Sequence, residues 1–94
     1  MIDYSTFPAP HLADGLRRYV EHGIAPGRFL AAVLKNDLEG AVLWADPASL
    51  RQLGPIVQWL IRELPMPAWG SEANYLGTIR TGGLLPATLG EEAA

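Results

Sequence analysis

The sequence predicts an all-α fold, a small bundle of three to four helices, and three observations lead there. Apolar residues recur at intervals of three and four through most of the chain, which is the period of one helix face. Proline and glycine stand where these periodic stretches begin and end. Hydrophobic residues make up 49% of the chain and charged residues 18%, enough to fill a core and too apolar for intrinsic disorder. The 94 residues fit one compact domain, 1–94. At that size some apolar surface is left over, a first hint of self-association.

The elements follow in order. Residues 1–10, with Phe7, Pro8 and Pro10, read as an extended lead-in lying across the domain or a neighbouring subunit. From Pro10, Leu12, Leu16, Tyr19 and Val20 mark the apolar face of a first helix, with Asp14, Arg17, Arg18 and Glu21 on the other side. Gly23 stops it, and Gly15 lowers its propensity. Pro26 suits the first turn of a second, long helix. Phe29, Leu30, Val33, Leu34, Leu38, Ala41 and Trp44 define its apolar side as far as about Ala45, with Arg28, Lys35 and Glu39 opposite. Asp46-Pro47 reads as an N-cap and first-turn proline opening a third helix through Leu50, Leu53, Val57, Leu60 and Ile61, with a kink or break near Gly54 before Pro55. Leu64-Pro65-Met66-Pro67 ends it. Ser71 N-caps a short fourth helix, Glu72 through Leu76, and residues 78–94 read as loop or loosely ordered tail, including Leu84-Leu85-Pro86.

Composition narrows the functional classes. The net charge of −3 is mild and the seven basic residues are scattered, so nonspecific nucleic-acid binding is not expected. The ten carboxylates are dispersed too, apart from Glu91 and Glu92, which read as a solvated tail. The absence of cysteine excludes disulfides and thiolate metal sites and fits a reducing compartment. His11 and His22 offer no zinc spacing, so neither metal nor cofactor is expected. The N-terminus lacks a basic region followed by an apolar stretch, and no apolar run approaches the roughly 18 to 20 residues that span a bilayer. The expected location is the cytoplasm.

Three positions break the pattern. On a continuous second helix, Asp37 falls among Leu30, Val33, Leu34 and Ala41, which predicts at least partial burial. It then either caps another helix or ties down a loop, or it contacts a ligand or subunit, and Asn36 beside it shares either role. With Ala25 as N-cap, the free amides of Gly27, Arg28 and Phe29 need partners: water, or an anion favoured by the helix dipole, by close approach at Gly27 and by Arg28. Trp59, on a straight third helix, lies opposite Leu50 and near Gln52 and Glu63, which suggests an interface unless Pro55 shifts the phase and returns it to the core. Leu43 faces outward with Arg28 and Glu39 in the same way. Tyr19 and Trp44 fall on apolar faces, His11 and His22 at helix ends, and Ser71 lacks a Gly-x-Ser-x-Gly context.

The stretch from Tyr19 to Leu38, with the string Gly-x-x-Pro-Gly-x-Phe-Leu-x-Ala-Val-Leu-x-Asn-Asp-Leu, resembles a group of small uncharacterised bacteriophage and prophage proteins, and Ala45-Asp46 and Trp69-Gly70-Ser71 are similar to later landmarks of that group. The resemblance covers roughly residues 12–71, departing at Pro47 and after Ser71. It implies small helical proteins that modify the host cell or its defences, acting in the host cytoplasm, and it names no catalytic residue.

Together these readings predict a non-enzymatic, homo-oligomeric binder that sequesters a small anionic, nucleotide-derived defence signal in pockets between subunits. Arg28, Gly27 and Pro26 meet phosphate, Asn36 or Asp37 orients the polar remainder, and Tyr19 or Trp69 stacks on a base. The alternative is a protein-interaction module that inhibits or redirects a host protein through an apolar patch at Trp59 and Leu43. A small hydrolase requires a clustered acid, base or metal site that the linear sequence does not display.

Overall fold

A computed structural model describes residues 2–84, and within them the chain is all-α, with no strand. After a 3-10 turn at Tyr4–Thr6 come α1 (Pro10–His22), α2 (Arg28–Leu34), α3 (Leu38–Trp44), α4 (Pro47–Arg51), α5 (Leu53–Glu63) and α6 (Glu72–Arg80). Six helices stand where three to four are expected, because the second and third predicted helices are each divided in two. Among the described residues no helix is long and apolar enough to cross a membrane.

The centre of the fold is α2, whose residues Phe29 to Leu34 are all buried, as a helix apolar all round must be. α1 supplies Leu16, Tyr19 and Val20 to the core, and α5 supplies Ile56, Trp59 and Leu60. Tyr19 stacks on Tyr75 of α6 with ring centroids 5.4 Å apart and donates its hydroxyl to the Ala68 carbonyl at 2.6 Å. α3 packs against α2, and α4 against α5.

The division of the long helix is built from backbone hydrogen bonds. Asn36 takes a left-handed conformation, φ 62°, its amide donating to Val33 and that of Asp37 to Ala32. This pairing ends α2 and satisfies its last carbonyls, with asparagine in place of the commoner glycine. Asp37 then opens α3 by accepting from the Gly40 amide at 3.0 Å. Asp37 is therefore an exposed helix cap rather than a buried carboxylate, since the break rotates it away from the apolar stripe. A Cβ at Gly40 would collide with that carboxylate, so the glycine keeps the cap seated.

The second division falls at Gln52, two residues before the expected Gly54. Pro55 lies in the first turn of α5, where its missing amide hydrogen leaves no helical bond unmade. With the phase restarted at Leu53, Ile56, Trp59 and Leu60 share one face, and Trp59 is fully buried. The reading of Trp59 as an interface residue is corrected on that ground. Its indole forms a T-shaped pair with Phe7, ring centroids 4.9 Å apart, and donates to the Thr6 hydroxyl at 2.8 Å, so the lead-in lies across this chain's own core.

Several sequence signals appear as read. Gly23 ends α1 in the left-handed conformation, φ 68°. Asp46 caps α4 through the Ser49 amide at 2.7 Å, with Pro47 at its first position, and Ser71 caps α6 through the Asn74 amide at 3.1 Å. α6, however, runs on to Arg80, so the start of the expected tail is helical. Beyond it the Gly83 amide donates to Thr78 and the Leu84 amide to Val20, which fastens the end of α6 to α1. Leu85, Pro86, Glu91 and Glu92, the remainder of the expected tail, lie outside the described residues.

Candidate functional site

The first turn of α2, one stripe of α1 and the end of α3 enclose an open groove of about 640 Å³. α1 contributes His11, Asp14, Gly15 and Arg18, which recur at the three- and four-residue spacing that places them on one helix face. The facing wall is Pro26, Gly27 and Arg28, and Trp44 closes one side. Leu12, Phe29 and Leu30 give the groove its apolar lining, the last two buried in the core.

α2 begins at Arg28, with Gly27 rather than Ala25 as its N-cap and Pro26 in the preceding connection. The Arg28 guanidinium lies 4.5 Å from the centroid of the Trp44 ring. A planar cation on an indole face gains roughly 0.5–1 kcal/mol at an exposed site, which holds the arginine beside the groove with less rotamer freedom to lose on binding. Trp44 itself is 48% exposed, not the core residue its spacing suggests.

Gly15 shapes the opposite wall. It sits in the interior of α1, and a Cβ built on it meets nothing within 4 Å, so no neighbouring group demands a glycine there. Glycine inside a helix is destabilising by about 0.5–1 kcal/mol relative to alanine. The open space its missing side chain leaves is part of the groove.

Close to the groove, His11 Nε2 stands 3.5 Å from the buried Ser49 hydroxyl. The bonds Asp46 accepts from Ser49, first from its amide, hold its carboxyl below the usual range, and the nearby imidazole adds to this. Because the carboxylate is engaged by Ser49, the three side chains form a helix cap with a neighbouring histidine and not the base-orienting order of a Ser-His-Asp hydrolase. Among the described residues no group of three His, Asp or Glu side chains is placed to hold a metal ion.

The residues expected to form one site are distributed over three places. Pro26, Gly27 and Arg28 line the groove. Asn36 and Asp37 border a separate cleft of about 50 Å³ with Trp69, which is buried. Tyr19 is fully buried with one ring face on Tyr75, and burial raises the pKa of its hydroxyl, so it offers no platform for a ligand. Leu43 is 69% exposed on the outer face of α3 beside Leu38 and Val42. His11, Asp14, Gly15, Arg18 and Trp44 join the groove without having been singled out as site residues. The four on α1 share one signal in the sequence, a polar stripe interrupted by a glycine, whereas nothing in the spacing of Trp44 on α3 connects it with them.

These features define an all-α protein with an open groove of mixed charge. Comparison with protein-family models, with curated proteins and with solved structures gives no match to this chain.

Proposed function

We propose that the protein is a non-enzymatic binder of a small anionic, nucleotide-like molecule, held in the groove between α1, α2 and Trp44. The observation that carries the reading is the convergence of Arg18, Arg28 and His11 with an aromatic ring around one concavity of about 640 Å³, within the range of small-molecule sites. Two guanidinium groups suit phosphate oxygens, which they meet in forked, charge-assisted pairs. The indole edge and the apolar lining suit a base. In the phage setting that the resemblance implies, the captured molecule is a nucleotide-derived defence signal, and capture by mass action requires no chemistry.

Native mass spectrometry of the full chain purified from its host tests this, because it reads a retained small molecule and the subunit number together. A phosphate-bearing mass that disappears in Arg28→Ala is the expected result. A ligand-free protein that also fails to bind a broad nucleotide panel overturns the reading.

A second reading rests on a different observation. Leu38, Val42 and Leu43 expose 70%, 47% and 69% of their surface on α3. That outer face suits self-association or capture of a host protein. Leu43→Glu is expected to abolish association in analytical ultracentrifugation or pull-down while leaving the helical content unchanged, and intact association would remove this face from consideration.

A further inference from the structure

Asp14 stands among cations in the groove wall. It lies one helical turn before Arg18, the acid-then-base order that favours an ion pair along a helix, yet among the described residues the ion pair on α1 is Arg17–Glu21 and none joins Asp14 to Arg18. A carboxylate in this position repels phosphate. Asp14 is exposed on the same wall, about 6 Å from Arg18 along the axis of α1, so a ligand whose anionic group sits on Arg18 and Arg28 gains a further contact there by presenting hydrogen-bond donors to its carboxylate.

Resting on the nucleotide reading above, we propose that Asp14 reads the base and that the groove selects a guanine nucleotide. An ionised carboxylate is acceptor-only and takes two parallel N–H donors in one plane. Guanine offers that pair, its ring N1–H beside its exocyclic 2-amino group. Adenine and cytosine place a ring-nitrogen acceptor beside their amino group, which would face the carboxylate lone pairs. Uracil and hypoxanthine offer a single N–H bordered by a carbonyl oxygen or an unsubstituted carbon. Gly15, adjacent to Asp14 and without a side chain, leaves room for the flat edge of a purine against α1.

Isothermal titration of the full chain with GMP, IMP and AMP decides the matter, since IMP differs from GMP only in lacking the 2-amino group. GMP is expected to bind on the order of tenfold more tightly than IMP, the loss of one hydrogen bond to a charged acceptor, and AMP more weakly still. Asp14→Asn, an exposed and near-isosteric change whose fold is checked by circular dichroism, is expected to bring GMP down to the level of IMP. Arg28→Ala is expected to weaken all three alike. Equal affinities for GMP and IMP, or a GMP preference that survives Asp14→Asn, overturn the base assignment and leave nucleotide binding standing. Failure of all three to bind overturns both.

Discussion

Gly15 separates what the groove does for the fold from what it does for a ligand. Replacing it by alanine removes the excess backbone freedom of glycine from the unfolded chain and adds a methyl group that meets nothing within 4 Å. The helix-propensity difference is about 0.5–1 kcal/mol, with no steric term to set against it. For a domain of this size 1 kcal/mol moves the melting temperature by about 4–8 °C, so Gly15→Ala raises it by about 2–8 °C. Gly15→Leu keeps most of that gain, leucine being nearly as good a helix former, and projects a bulky side chain into the groove. Differential scanning calorimetry paired with nucleotide titration checks both halves: stability rises in each variant, and binding falls at least tenfold in Gly15→Leu. A lower melting temperature for Gly15→Ala would show that the glycine serves the fold, and unchanged binding in a stable Gly15→Leu would show that the groove is not the site.

The remaining predictions concern the frame that holds the groove. Trp59→Ala removes a fully buried indole together with its bond to Thr6, and urea unfolding should show a loss of about 3–5 kcal/mol, whereas an interface tryptophan would leave monomer stability within about 0.5 kcal/mol. Gly83→Ala combines a φ of 111° with a Cβ driven to 2.6 Å from the Glu21 carbonyl carbon, so it should cost about 1–3 kcal/mol and release the α1–α6 seam, seen as faster hydrogen exchange at Leu84; an unchanged exchange rate would deny the seam. Asp46 titrates below its ordinary value of 3.8 because Ser49 bonds favour its charged form. Its contribution is complete above that value and is lost as pH falls through the depressed one, so the acid side of the stability profile should flatten in Asp46→Asn, which still caps the helix; an identical profile would remove Asp46 as the cause.

Local chemistry made much of this fold legible in the sequence. Asp46-Pro47 and Ser71 name helix starts because a short oxygen-bearing side chain bonds the free amides of the first turn, and Gly23 names a stop because it accepts a positive φ. Sequence and structure part where a break in the chain resets the helical phase. Lys35-Asn36-Asp37 was itself a stop-and-start signal, asparagine for the left-handed cap and aspartate for the next N-cap, yet the apolar residues on either side happened to continue a plausible stripe. For Trp59 the sequence leaves interface and core open, and the core position holds because the phase restarts, at Gln52 rather than at Pro55.

The site was legible only in its local half. Pro26, Gly27 and Arg28 are neighbours in sequence and share the groove. The α1 wall joins them through the packing of one helix on another, and no sequence spacing reports that. Aromatic rings suit bases, which makes Tyr19 and Trp69 candidates in the sequence, but the apolar neighbourhood of both takes their rings into the core.

Nuclear magnetic resonance titration of the isotopically labelled full chain with a guanine nucleotide tests the central claim most directly, since it locates binding residue by residue. The account predicts shifts concentrated at His11, Asp14, Gly15, Arg18, Gly27, Arg28 and the Trp44 indole, with Trp59 and Asn36 unmoved. Shifts centred on the cleft beside Asn36 and Trp69, or an unperturbed spectrum at saturating nucleotide, would contradict it.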